Sequence, residues 1–174
     1  EMATESLKSG SGEIRLTEDQ NIILTGLTHE KVKEFKADSL LEQFALEPGN
    51  ISAGTVSCTG NTYCSFALTN TKDQALKAAK ELDKELKLPD EIKIHWTGCP
   101  NTCGQAYMGA IGLTCTKAKD NEGVMGEGYT RTIGGSQGPN PKLGEVYRNA
   151  IPAAEIKAAL TEVLINKFGA EERS

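Results

Sequence analysis

Five cysteines and two histidines hold most of the soft metal-binding capacity of this 174-residue chain, and four of the cysteines form two close pairs. Cys58 and Cys64 enclose Thr59-Gly60-Asn61-Thr62-Tyr63; Cys99 and Cys103 enclose Pro100-Asn101-Thr102. A single cysteine often serves as a small apolar core residue, which suits Cys115, but four thiols in loops rich in Gly, Asn and Thr do not fill a core. Structural zinc uses pairs two to four residues apart, which fits Cys99 and Cys103 but not the wider Cys58–Cys64 pair. An all-sulfur set selects iron–sulfur or zinc over hard-ligand metals, and four thiolates match one cubane. The spacing therefore favours a [4Fe–4S] cluster and keeps zinc as the alternative. Loops containing Gly60, Gly98 and Gly104 let backbone N–H groups approach closely and donate hydrogen bonds to sulfur, which tune a cluster's potential.

Composition narrows the setting. Hydrophobic residues at 38% and charged residues at 25% describe a globular chain long enough for a real core. A net charge of -5 and a pI near 5.2, with no concentrated basic face, argue against nucleic acid as a partner. No apolar run approaches the ~20 residues of a membrane helix, so no membrane partner is expected. The opening Glu1-Met2-Ala3-Thr4-Glu5 lacks a basic-then-apolar leader, which favours reduced thiolates over a disulfide framework. A helix-like tail running into Gly10-Ser11-Gly12 suggests that the chain begins inside a longer protein, with any targeting peptide out of view.

The elements that must position the thiols follow from periodicity and breakers. Glu13–Thr17 and Asn21–Thr25 read as neighbouring strands. Thr28 can cap a short helix to about Lys36, and Ser39 with Glu42 has capping-box spacing for another ending near Phe44. Pro48-Gly49-Asn50 marks a turn and a boundary between residues 1–50 and 51–174. Thr55-Val56-Ser57 leads into the first pair. Asn70 or Thr71 caps a helix whose Leu76, Ala79, Leu82 and Leu86 fall on one face, with Pro89 as its stop. Glu91 to Trp96 reads as a strand parallel to the one before the helix, so each pair follows a strand. Ala106 to Thr116 is expected to be a strand pair or one bulged strand, and Asp120-Asn121-Glu122-Gly123 a turn. A helix from about Ala153 to Phe168 presents Ile156, Leu160, Val163 and Leu164, and ends at Gly169.

At the cysteines the pattern becomes specific. His95-Trp96-Thr97-Gly98-Cys99-Pro100-Asn101-Thr102-Cys103-Gly104-Gln105, with the Cys58–Cys64 stretch upstream, resembles the assimilatory nitrite and sulfite reductases. Gly10 to Asn21 resembles the segment opening the second of that family's two homologous halves, while Gly144-Glu145-Val146-Tyr147 and Phe168-Gly169-Ala170 resemble its C-terminal stretch. The resemblance implies an α+β chain: residues 1–50 as part of a ferredoxin-like domain, then residues 51–174 as a sirohaem and [4Fe–4S] domain with a small mixed sheet flanked by helices. It implies Cys58, Cys64, Cys99 and Cys103 as cluster ligands, with Cys103 also bridging to the sirohaem iron as the catalytic ligand. His95-Trp96 before the second pair and Gly104-Gln105 after it are similar to ferredoxin-dependent nitrite reductases, where sulfite reductases more often carry Ala-Arg. The implied reaction is six-electron reduction of nitrite to ammonium with ferredoxin as donor. Sulfite reduction and a non-catalytic cluster module are the alternatives.

Sirohaem is ringed by carboxylates and calls for cationic and amide donors. Arg15, Gln20, Asn21 and Asn101 sit in family-like motifs and are the candidates, with Arg131 and Arg148 as weaker ones. A solvated arginine is the ordinary alternative for each, and Asn61 and Asn101 can simply stabilise turns. His95 reads as a structural histidine at a strand end rather than an acid/base group. The Lys-rich stretch 72–87 alternates with acids and reads as a solvated face, with a docking patch for ferredoxin as the alternative. The family's anion-binding Arg and Lys lie largely in the first half, which has no counterpart here. A missing N-terminal portion or a separate chain is therefore expected to complete the pocket. The resemblance points to the plastid stroma, or to the cytoplasm of a photosynthetic bacterium.

Overall fold

Pro48 and Gly49 divide the chain. In a computed structural model, which describes residues 1–42 and 44–173, one unit covers Glu1–Pro48 and a second begins at Gly49. In the first, helix α1 (Met2–Ser9) precedes strands β1 (Ile14–Leu16) and β2 (Ile22–Leu24), which pair antiparallel with Leu16 opposite Ile22. The polar break between them closes the hairpin, with Thr17 N–H donating to Asn21 O and Gln20 in the left-handed region at φ 62°. Helix α2 (His29–Phe35) starts where expected: the Thr28 side chain accepts from Lys31 N–H at 3.3 Å, taking up an otherwise unpaired first-turn donor. The expected second helix is only a 3-10 turn at Ser39–Glu42. Asp38, not Ser39, does the capping, accepting from Leu40 N–H at 2.8 Å. The expected helix extends through Gln43, which lies outside the described residues.

The second unit is a mixed five-stranded sheet flanked by helices, as expected from the resemblance. Its elements are α3 (Asn50–Ala53), β3 (Thr55–Ser57), α4 (Thr71–Glu85), β4 (Leu86–Lys87) and β5 (Ile94–Thr97). Then come a 3-10 turn (Ala106–Met108), β6 (Ile111–Lys119), β7 (Met125–Ile133), β8 (Glu145–Pro152), α5 (Ile156–Phe168) and β9 (Glu171–Glu172). The sheet order is β3-β5-β6-β7-β8. β3, β5 and β6 run parallel; β6, β7 and β8 run antiparallel. The β3–α4–β5 crossover is the strand, helix, strand unit read from the sequence, because a parallel neighbour cannot be reached by a tight turn.

Three expectations need correction. Helix α4 stops at Glu85, ahead of Pro89, because Leu86 is already extended and enters β4, which pairs with β9. Leu76 is 52% exposed, whereas Ala75, Ala78, Ala79 and Leu82 are buried. Small residues let the helix lie close to the sheet, so the contact stripe is narrower than an apolar count suggests. Ala106–Thr116 is neither a strand pair nor a bulged strand but a 3-10 turn followed by one nine-residue strand. The partners β7 and β8 carry too many Gly, Thr and charged residues to announce themselves.

The core lies between the sheet and α4 and α5. Leu82, Ile111, Leu113, Tyr129, Ile151 and Leu164 are sealed from solvent, each such burial contributing roughly 1.5–3 kcal/mol. Trp96 meets Tyr129 edge-on at 5.3 Å. Along α5 the expected stripe of Ile156, Leu160, Val163 and Leu164 is buried, and Gly169 at φ 69° closes the helix.

Candidate metal centre

Because β3 and β5 are parallel neighbours, with Ser57 opposite Trp96, the loops that follow them open at the same end of the sheet. Cys58 directly follows β3, and Cys99 follows β5 after Gly98. The loops are stitched together. Cys58 N–H donates to Trp96 O at 3.0 Å, Leu68 N–H to Gly98 O at 2.8 Å, and Gly98 N–H to Cys58 Sγ at 3.2 Å.

Each loop is also wound on itself. In the first, Cys64 N–H donates to Gly60 O at 3.0 Å and Asn61 N–H to Thr69 O at 3.0 Å. In the second, Thr102 N–H donates to Cys99 O and Gln105 N–H to Thr102 O, with Thr102 and Gln105 held at φ 52° and 55°. Non-glycine residues in that region are strained and persist only where surroundings over-determine them. Gly104 supplies one such constraint: its N–H donates to Thr97 Oγ1 at 3.1 Å, and a Cβ there would stand 2.0 Å from Trp96 O. His95, buried on the sheet, adds another through Nδ1, 3.2 Å from Gln105 O.

All five thiols are free. Cys99 is buried, Cys58 and Cys64 are half-buried and Cys103 is exposed. Cys115 points into the core instead, where burial pushes its thiol pKa up. Among the described residues, no three side chains of His, Cys, Asp or Glu converge as the ligands of one ion. A cubane asks for something different, since each thiolate binds its own iron at a separate corner. The donor set fits such a group: four unpaired thiols on two joined loops, a backbone N–H already on one sulfur, and a solvent-facing side at Cys103.

Asn101 lies exposed between Cys99 and Cys103. Arg15, Gln20 and Asn21 all lie in the first unit's hairpin, exposed; Arg15 pairs with Glu13 at 2.8 Å, and Asn21 N–H donates to Thr17 Oγ1 at 3.0 Å. Arg131 is fully buried on β7, donating to Ala159 O with the Tyr147 ring 4.9 Å from its guanidinium carbon. Arg148 is half-exposed, 3.8 Å from Glu162. Sequence reasoning missed Thr71. Asn70 takes the capping role, its side chain accepting from Asp73 N–H, which leaves the Thr71 hydroxyl 3.2 Å from Cys58 Sγ. Treating Asn70 and Thr71 as interchangeable caps conceals it.

A mixed sheet with two cysteine loops at one end defines an α+β unit with a candidate thiol site, and comparison with known proteins gives its family. Residues 49–169 match the model of the nitrite and sulphite reductase 4Fe-4S domain, and the chain belongs to that family. It is 43% identical over 165 residues to a ferredoxin–nitrite reductase of Synechococcus elongatus, covering 95% of this chain and 32% of that protein. It is 38% identical to the chloroplastic ferredoxin–nitrite reductase of Spinacia oleracea, covering 94% of this chain and 28% of that one. The chain thus spans about a third of the length of these relatives. The Mycobacterium tuberculosis NirA structure superposes on 97% of this chain and 32% of its own at a TM-score of 0.84 and 22% identity, which shows a shared fold. No helix among the described residues is long and apolar enough to cross a membrane.

Proposed function

We propose that this chain is the cluster- and sirohaem-binding part of a ferredoxin-dependent nitrite reductase, which reduces nitrite to ammonium with six electrons. The observation that carries the reading is the joining of the two cysteine loops, with Gly98 N–H on Cys58 Sγ. When bound, the cluster passes electrons singly and sirohaem supplies the iron at which nitrite is reduced.

The chain's own residues hold these groups. Cys58, Cys64, Cys99 and Cys103 are the cluster ligands, and Cys103, the exposed member, is the shared one. Gly98 and Gly104 keep the loop backbones close; His95 fixes the carbonyl of Gln105. Tyr63 and Phe66, 86% and 71% exposed beside Cys64, offer an apolar surface for a macrocycle or further protein to cover. Asn101, on the second cysteine loop, is a proposed donor to sirohaem carboxylates; for Arg15, Gln20 and Asn21 of residues 1–50 the same proposal rests on the family-like motif alone. Residues 1–50 form the partial ferredoxin-like domain and 51–174 the cofactor domain. The remaining length of the relatives supplies the rest of the pocket. Named relatives from Synechococcus elongatus and a chloroplast favour nitrite and ferredoxin, and support a plastid stroma or a photosynthetic bacterial cytoplasm.

The test joins this chain to a polypeptide supplying that remaining length, adds sirohaem, and follows oxidation of reduced ferredoxin. Nitrite-dependent oxidation with ammonium as product is expected. Turnover with sulfite and not nitrite would reassign the substrate, and a cluster without a sirohaem Soret band would reduce the chain to an electron-transfer module.

A further inference from the structure

We propose that Thr71, the first residue of α4, is a positioning residue that hydrogen-bonds the Cys58 sulfur and raises the reduction potential of the cluster. This rests on Cys58 being a cluster ligand.

Thr71 Oγ1 lies 3.2 Å from Cys58 Sγ and 3.0 Å from Cys58 O. A hydroxyl has one hydrogen. With Cys58 as a free thiol, S–H donates to Oγ1 and the hydroxyl donates to Cys58 O. A metal-bound thiolate has no hydrogen to give, so the sulfur contact persists as a hydrogen bond only when the hydroxyl turns its hydrogen to sulfur. Gly98 N–H already donates from the other loop at 3.2 Å, making Cys58 a doubly supported sulfur.

The surroundings hold this arrangement. Thr71 is fully buried, so water does not compete for its hydroxyl. Its methyl lies 3.4 Å from where a Cβ on Gly98 would stand, and the loop backbone packs on the first turn of α4, with a Cβ on Gly60 falling 2.9 Å from Thr71 N. α4 is a 15-residue helix, and its positive N-terminal end adds to the same effect. When a reductant gives one electron to the cluster, negative charge on the sulfurs grows and the donated bonds strengthen. The reduced state is therefore stabilised more than the oxidised one.

The full chain and its Thr71→Val, Thr71→Ala and Thr71→Ser variants would be reconstituted with iron and sulfide. Each would be assayed for both elements, then titrated with redox dyes while the reduced cluster is followed by electron paramagnetic resonance. Thr71→Val and Thr71→Ala are expected to keep the cluster and titrate at a lower potential, with Thr71→Ser near the parent. An unchanged potential in the Val variant, or Ser falling with Val, would overturn the role of the hydroxyl and leave the cluster reading standing. Cluster assembly by Thr71→Ser alone among the variants would also overturn it, since Thr71 is then needed for assembly. A parent chain that binds no iron and sulfide overturns both.

Discussion

Gly104→Ala is the substitution whose cost the structure fixes most closely. The new Cβ would meet Trp96 O at 2.0 Å and Thr97 Oγ1 at 2.7 Å, while real Cβ atoms stay beyond 3.0 Å, so the carbonyl must retreat by about 1 Å. That carbonyl accepts Cys58 N–H, and moving it also loosens the link between the two cysteine loops. Overpacking costs typically 1–3 kcal/mol, and a lost hydrogen bond about 1 kcal/mol more. The sum, about 3 kcal/mol, lowers the Tm by roughly 6–12 °C in a chain of this length. Thermal unfolding followed by circular dichroism reads this, with Gly126→Ala as control because a Cβ there meets nothing within 4 Å. A Gly104→Ala melt within about 2 °C of the parent would refute the claim that the loop is built around a missing side chain.

Four further outcomes are expected. Asn70→Ala removes the α4 cap and costs about 1 kcal/mol, seen as a lower urea midpoint. Leu82→Ala empties a sealed core position and costs about 2–5 kcal/mol by the same assay. Arg131→Met leaves the Tm unchanged or higher, because Nε and Nη2 are buried without partners and an apolar chain of similar length relieves that burden, whereas Arg131→Ala lowers it by leaving a cavity. Burial raises the Tyr129 phenol's pKa above its ordinary value of 10.0. The unfolded chain therefore gives up this proton first, so stability is full below about pH 10 and falls as pH rises further. Tyr129→Phe should flatten that fall in urea titrations at successive pH values.

What the sequence discloses depends on how local the signal is. The Thr28 cap, the α5 stripe, the Gly169 stop and the β3–α4–β5 unit rest on neighbouring residues with strong periodicity or breakers, and all four recur in the fold. The end of α4 is hidden because Pro89 is a louder breaker than the tertiary pairing of β4 with β9, which draws Leu86 out of the helix. β7 and β8 are illegible because their runs of Gly, Thr and charged residues show no clear apolar alternation, and only pairing with their sheet neighbours makes them strands. At the site, cysteine types and spacing point to the two loops. The glycines there mark where a backbone N–H can reach sulfur, but the particular Gly98 N–H bond to Cys58, across 40 positions, and the Thr71 contact, across 13, emerge only in three dimensions.

The most direct test of the central claim is iron and acid-labile sulfide analysis of the anaerobically reconstituted chain alongside five single Cys→Ser variants. Four irons and four sulfides per chain, diminished by changes at Cys58, Cys64, Cys99 or Cys103 and untouched by Cys115→Ser, is the predicted pattern. Zinc without sulfide, or equal dependence on Cys115, would contradict it.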